Sequence, residues 1–159
     1  MNERIVVVEV SGLEALHLAG LVGQFRDLLR ETRRADDPAV ARLTPDAYPD
    51  DDAANREFHR LTSEDMLTRR AEDADTVLRT LGMDGADLDP GSDPDETIAV
   101  ALGENEAHAW LRTLSAVRLV LATRLGIQTE DDHRPGDPRF GVYDWVGYRL
   151  DGLVAALER

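Results

Sequence analysis

Cysteine is absent from this 159-residue sequence, and so is lysine, because all 18 basic side chains are arginine. Without a thiol there is no cysteine nucleophile, disulfide, iron–sulfur cluster or cysteine-ligated zinc. Without lysine there is no Walker-type phosphate loop, Schiff-base lysine or kinase-type ion pair. Aromatic residues make up only 5%. Long apolar runs are missing too. The longest uncharged ones span a few residues, such as Leu119 to Ala122, where a membrane helix needs about 20. No secretory apolar segment follows Met1-Asn2-Glu3-Arg4, so a cytoplasmic location is expected.

What is present is an aliphatic-rich globular composition, 42% hydrophobic and 31% charged. Its length predicts one domain over residues 1–159, large enough to bury a core without covalent staples. Formal net charge is −14, and it is unevenly placed. Residues 36 to 106 hold 20 acidic side chains against 6 arginines, whereas the two flanking segments balance 12 against 12. A polyanion such as DNA is repelled by that middle stretch, since nonspecific affinity comes from cations that displace counterions. Direct DNA binding is disfavoured. A neutral or basic protein partner suits the field better.

Two stretches 92 residues apart match. Ile5 to Val10 is short and β-branched, which predicts a strand. Ser11-Gly12-Leu13-Glu14 then reads as a capping box, with Glu14 reaching back to Ser11. From there Leu18, Leu21, Val22, Phe25, Leu28 and Leu29 recur at helical spacing, to an end near Arg33-Arg34. The second stretch repeats the order, with a strand at Thr97 to Leu102 followed by a helix. Glu106 matches Glu14, Leu114 matches Val22, Val117 matches Phe25, Arg118 matches Arg26 and Leu121 matches Leu29. Asp93-Pro94-Asp95-Glu96 would also serve as a helix start, so a helix over 97–102 is the rival reading. The match favours two strands that pair as a ribbon, with their helices side by side over one face. The resulting fold class is mainly α with a small β-ribbon (α+β), built on strand–helix repeats at about 5–34 and 97–126. A free ribbon edge could recruit another strand, and with it a homodimer.

Between the repeats lies an Asp/Pro-rich loop, then a long helix from about Ala53. Thr62-Ser63-Glu64-Asp65 resembles a fresh N-cap and predicts a kink or restart there. Met66, Leu67, Ala71, Ala74, Val77, Leu78 and Leu81 form its apolar stripe, and Gly82 is a natural stop. A polar loop over Thr129 to Arg139 precedes a last helix starting near Tyr143, with Val146, Leu150, Leu153, Val154 and Leu157 facing inward.

Candidate chemistry is sparse. The loop Asp84 to Glu96 carries five Asp and one Glu. A calcium loop starting at Asp87, however, would place Ser92 where glycine is needed and Ile98 where the bidentate Glu belongs. The four histidines, His17, His59, His108 and His133, show neither metalloprotease nor zinc-finger spacing. His133 beside Asp131 and Asp132 could catch a divalent ion only adventitiously. The serines sit outside any nucleophile elbow. No catalytic, cofactor or metal site is expected. Tyr143, Trp145 and Tyr148 cluster at the start of the last helix, where such residues serve either as core caps or as interface anchors. At their spacing they cannot all face one way.

Three patches are similar in order and spacing to a known family. They are Glu57-Phe58-His59-Arg60-Leu61-Thr62, then Trp110-Leu111-Arg112-Thr113-Leu114 running on to Arg124-Leu125-Gly126-Ile127, and finally Tyr143-Asp144-Trp145-Val146-Gly147-Tyr148. Together they resemble the actinobacterial AosR family, long catalogued only as a domain of unknown function, and the likeness runs from about Ile5 to Leu157. The resemblance implies an oxidative-stress regulator of transcription that works with a sigma factor, in some members through a cysteine pair. This sequence departs from that pattern. It has no cysteine for such a switch, Ser115-Ala116 stands where Asn-Asp is expected, and Arg149-Leu150-Asp151 replaces a Leu-Gln-Glu-like run.

The resulting expectation is a non-enzymatic, protein-binding regulator without thiol sensing, partnered by a sigma factor or another transcription component. Its candidate contact residues are Tyr143, Trp145, Tyr148, Arg26 and Arg118. For the two arginines, a salt bridge to the facing helix is the competing structural role. The alternatives are a homodimeric scaffold that uses the ribbon edge, and a small-molecule or metal-binding module.

Overall fold

The computed structural model describes residues 4–82, 93–134 and 136–159. Strand β1 (Val6–Ser11) pairs antiparallel with β2 (Thr97–Leu102), with Val8 opposite Val100 and Val10 opposite Ile98. The helical alternative for 97–102 is thereby excluded. Asp93 forms a tight turn instead, its side chain accepting from Asp95 N–H and its carbonyl from Glu96 N–H. Alternation along the ribbon buries Val6, Val10, Val100 and Leu102 and turns Val7, Glu9, Ala99 and Ala101 outward, as period-2 geometry requires.

Helix α1 (Gly12–Glu31) follows β1 directly. Only half of the expected capping box forms. Ser11 Oγ accepts from Glu14 N–H, but the Glu14 carboxylate does not turn back. The N–H groups of Gly12 and Leu13 are satisfied by the carbonyls of Glu96 and Pro94, each at 3.0 Å, so the approach to β2 caps α1. Glu14 is released for contacts elsewhere. The helix also stops short of Arg33-Arg34, which lead into a 3-10 turn at Arg34–Asp36.

The Asp/Pro-rich stretch holds a five-residue helix, α2 (Pro38–Arg42), where a loop is expected. Ala39, Val40 and, just beyond it, Leu43 are fully buried or nearly so. Asp37 caps this helix by accepting from Ala39 N–H. Buried Asn55 then pins the chain that follows, accepting from Tyr48 N–H and donating to Tyr48 carbonyl.

Helix α3 (Asp52–Leu81) runs unbroken for 30 residues, so the expected kink or restart at Thr62-Ser63 does not occur. The hydroxyls that suggested a cap are absorbed inside the helix. Thr62 Oγ1 donates to the Phe58 carbonyl at 2.7 Å, and Ser63 Oγ lies 3.3 Å from His59 Nδ1. Gly82 ends the helix at φ +68°, a conformation that costs glycine nothing.

Helix α4 (Glu104–Leu125) follows β2 and carries the reciprocal contact that α1 lacks, with Glu106 Oε1 accepting from Gly103 N–H. Positions 92 apart are buried in both helices: Ala15 with Ala107, Leu18 with Trp110, Val22 with Leu114, and Phe25 with Val117. The two helices nevertheless do not lie side by side as expected. Each packs chiefly against α3. Neighbouring strands are about 4.8 Å apart, whereas packed helices need 8–10 Å. Helices leaving a two-stranded ribbon therefore splay, and a third helix fills the wedge. The small side chains Ala71 and Ala74, both buried, let it approach closely. Trp110, 2% exposed, anchors that junction by donating from Nε1 to Thr80 Oγ1 at 2.8 Å.

After 3-10 turns at Glu130–Asp132 and Pro138–Phe140, helix α5 (Gly141–Glu158) packs on α4. One apolar cluster draws on both strands, on α1 to α5, and on Leu43. No helix among the described residues is long and apolar enough to cross a membrane.

Candidate functional site around the last helix

Helix α5 sorts the candidate residues by angle. At 100° per residue, Val146, Leu150, Leu153 and Leu157 fall on one stripe, with Val146 and Leu153 fully buried against the core. Tyr143 and Gly147 flank that stripe on one side, and Trp145, Arg149 and Gly152 on the other. Tyr143 and Trp145 thus stand about 160° apart in projection. The three aromatics do not form a single patch.

On the Trp145 flank, Glu14 at the start of α1 receives two donors from α5. Trp145 Nε1 donates to Glu14 Oε1 at 3.3 Å, and Arg149 Nε donates to the same oxygen. All three side chains are partly buried, and together they fasten α5 to the ribbon. Sequence reasoning missed this trio, because Glu14 is also the residue type a capping box calls for. Its one prior signal was Arg149, four residues after Trp145 on the same helical face. Beside the trio a groove of about 750 Å³ runs between β1 and α5, lined by Val7, Leu18, Trp110, Tyr148, Arg149 and Ala156 among others. Tyr148 stands at its rim, 71% exposed, with the Arg149 guanidinium 5.7 Å from its ring centre.

On the Tyr143 flank, Arg118 comes from α4. Its guanidinium lies over the Tyr143 ring, 4.3 Å from the centroid, and its Nε is buried without a hydrogen-bond partner among the described residues. Leaving a buried donor unpaired costs about 1–3 kcal/mol, which a cation–π contact offsets in part. Arg26, its counterpart in the repeat, is placed differently. It pairs with Asp75 of α3 at 3.3 Å and also with Asp27, and Arg30 joins the same Asp75. The structure therefore brings Arg118 to Tyr143 and separates Arg26 from both.

A second groove, about 860 Å³, opens beside Arg118 and includes Arg42, Ser115, Gln128, His133 and Tyr143. Helix α2 is held there by Arg124 pairing with Asp37 and by Arg42 donating to Thr123 Oγ1 at 2.8 Å. The Arg124 hydrogen bonds, with help from Ala39 N–H, lower the Asp37 pKa below the ordinary carboxylate value. Asp132 is lowered as well, by hydrogen bonds from the Gln128 and Thr129 N–H groups.

Metal chemistry finds little here. Among the described residues no three His, Asp or Glu side chains converge as a metal site, and His133 is paired with Asp144 at 2.6 Å. The acidic loop weighed for calcium lies mostly outside the described residues. A line of Asp46, His59 and Ser63 does form, with His59 Nε2 2.6 Å from Asp46 Oδ1 and Ser63 beyond Nδ1. No backbone oxyanion hole accompanies it among the described residues. Ser63 sits in the interior of α3, where backbone N–H groups are used by the helix itself, so they cannot hold an oxyanion.

Comparison with known proteins adds two findings. The chain is 27% identical over 143 residues to the oxidative stress regulator AosR of Mycobacterium tuberculosis and of Mycobacterium bovis, and equally to its counterpart in Mycobacterium leprae. Each match covers 79% of this chain, and the chain spans 60% of the length of these curated relatives. No solved structure matches it. Residues 1–157 match the family model described as Domain of unknown function (DUF2017), and the chain belongs to that family.

Proposed function

We propose that this chain is a non-enzymatic regulator, acting as one cytoplasmic domain over residues 1–159 that binds a protein of the transcription machinery, a sigma factor or another component. The relatives named oxidative stress regulator support the regulatory half of this reading. The observation that carries the binding half is Tyr148, a large aromatic 71% exposed at the rim of the β1–α5 groove. Exposed tyrosine beside apolar surface is the residue type that dominates binding energy at interfaces. Trp145 and Arg149 behind it give the rim rigid support through Glu14. Arg118 and Tyr143 form a second contact point on the opposite flank, and Arg26 belongs to the α1–α3 ion pair. Within these 159 residues a thiol switch has no cysteine to use, so regulation here runs through binding rather than thiol oxidation.

The test is co-purification from native cells with wild type, Tyr148→Ala and Trp145→Ala. A transcription component enriched by wild type and lost with Tyr148→Ala supports the reading. Tyr148→Ala is the informative variant, because Trp145→Ala also removes a fold contact. Equal recovery by all three proteins, or no transcription component at all, counts against it.

One observation favours a second reading, that of a homodimeric scaffold. Ile5 and Val7 are each more than half exposed, and with the outward Ala99 and Ala101 they make the outer ribbon face apolar except at Glu9. Light scattering over a dilution series separates the two, since a monomer at every concentration removes the scaffold.

A further inference from the structure

Several arginines of the described chain meet an acid. Arg26, Arg30, Arg34, Arg112, Arg124, Arg139 and Arg149 each pair with Asp or Glu. Acids outnumber arginines 32 to 18, so counter-ions are plentiful. Arg118 is held differently. Among the described residues its head has no acid partner, the Tyr143 ring lies against its face, and Gly147 is so close that an added Cβ there would lie 3.1 Å from its Nε.

The groove that Arg118 lines contains no competing free carboxylate among its described lining residues. Of the described acids next to it, Asp144 is paired with His133, itself a lining residue, at 2.6 Å, Asp132 accepts from the N–H groups of Gln128 and Thr129, and Asp131 is exposed. A second cation, Arg42, lines the same groove from α2, and Ser115, Gln128 and Thr129 add neutral polar groups. A guanidinium stacked on an aromatic face keeps donors in its own plane for a forked contact, which matches the oxygens of a phosphate or carboxylate. The net charge of −14 does not forbid an anion at this place. At physiological ionic strength exposed charges beyond about 8 Å are largely screened, and the nearest charges lining the groove are positive.

We infer that the groove between α4, α5 and the end of α2 is a binding site for a small organic anion, held through a phosphate or carboxylate group by Arg118 and Arg42. Gly147 and Tyr143 are positioning residues for Arg118. The site lies on the α5 flank away from Tyr148, so anion binding is read apart from protein binding at the Tyr148 rim, and a bound anion would occupy the second contact point at Arg118 and Tyr143.

The experiment is an NMR titration of the ¹⁵N-labelled protein with inorganic phosphate and, separately, with acetate, using chloride at matched ionic strength as the control. Saturable shifts at residues 115–129 and 143–150 are expected for phosphate or acetate and not for chloride. Arg118→Gln and Arg42→Gln should each weaken the fitted affinity, Arg118→Gln by about tenfold or more. Arg26→Gln, at the acid-paired counterpart, should leave it unchanged. Gly147→Ala guards against failure of Arg118→Gln to fold, since its Cβ pushes the guanidinium by a few tenths of an ångström while helix α5 is kept, and it should weaken binding more mildly. Shifts that never saturate up to about 20 mM of either anion, or equal affinity in wild type, Arg118→Gln and Gly147→Ala, would overturn the proposal. Co-purification with Tyr148→Ala reads the other flank, so the failure of one proposal is distinguishable from the failure of the other.

Discussion

Glu14 shows how a single carboxylate is decided by competition. At the third position of α1 it could have satisfied the Ser11 N–H, yet it joins Trp145 and Arg149 across 131 and 135 residues. Glu14→Ala is expected to destabilise the fold by about 1–3 kcal/mol, the range for losing a partly buried charged hydrogen bond. Urea unfolding should read this as a lowered midpoint with an unchanged slope. Asn55→Ala should cost a similar amount, about 1–3 kcal/mol, because two backbone groups of Tyr48 lose their partner. Asp37 makes the same kind of contact pH-dependent. Its folded pKa is depressed by Arg124, so its contribution is present at neutral pH and is lost as pH falls through that lowered value. Asp37→Asn keeps the cap of α2 and removes the charge. It should be about 1 kcal/mol less stable than wild type at pH 7, with the half-exposed Arg124 head limiting the effect. The gap should narrow as pH falls below the ordinary carboxylate value of about 3.9 and close once pH passes below the depressed folded value.

Elements were legible in the sequence where apolar periodicity ran long. Both strands, α1, α3, α4 and α5 stand within a few residues of where pattern and capping residues put them. The exceptions have local causes. Helix α2 is a single turn and a half, too short for any period to register, and the signal that could have found it was Asp37-Pro38, a cap followed by proline. The kink expected at Thr62-Ser63 rested on hydroxyls that bond inward to Phe58 and His59 just as readily as they cap. The placement of α3 between α1 and α4 follows from strand and helix widths, which no linear pattern encodes. Within α1, Gly20 is exposed and an added Cβ there meets nothing within 4 Å. Gly20→Ala should therefore stabilise the protein by up to about 1 kcal/mol through helix propensity alone, measured by thermal or urea unfolding.

For the molecule as a whole, two strand–helix units and an intervening helix enclose one apolar interior, and α5 closes it while leaving a groove on either flank. The cluster Tyr143, Trp145 and Tyr148 could be seen in the sequence, but its division between those grooves needed the angle of α5 to its stripe. The Arg118 environment was half legible: its match to Arg26 marked it, and the match also suggested an ion pair that only Arg26 makes. On the function proposed above, this protein acts by contact with another protein at the Tyr148 rim. The most direct measurement places a photo-cross-linking amino acid at position 148 in native cells, and in a parallel strain at exposed Arg69 on α3. Position 148 should capture one discrete transcription component that position 69 does not. Identical products from both positions, or adducts at 148 only with another copy of the chain, would contradict it.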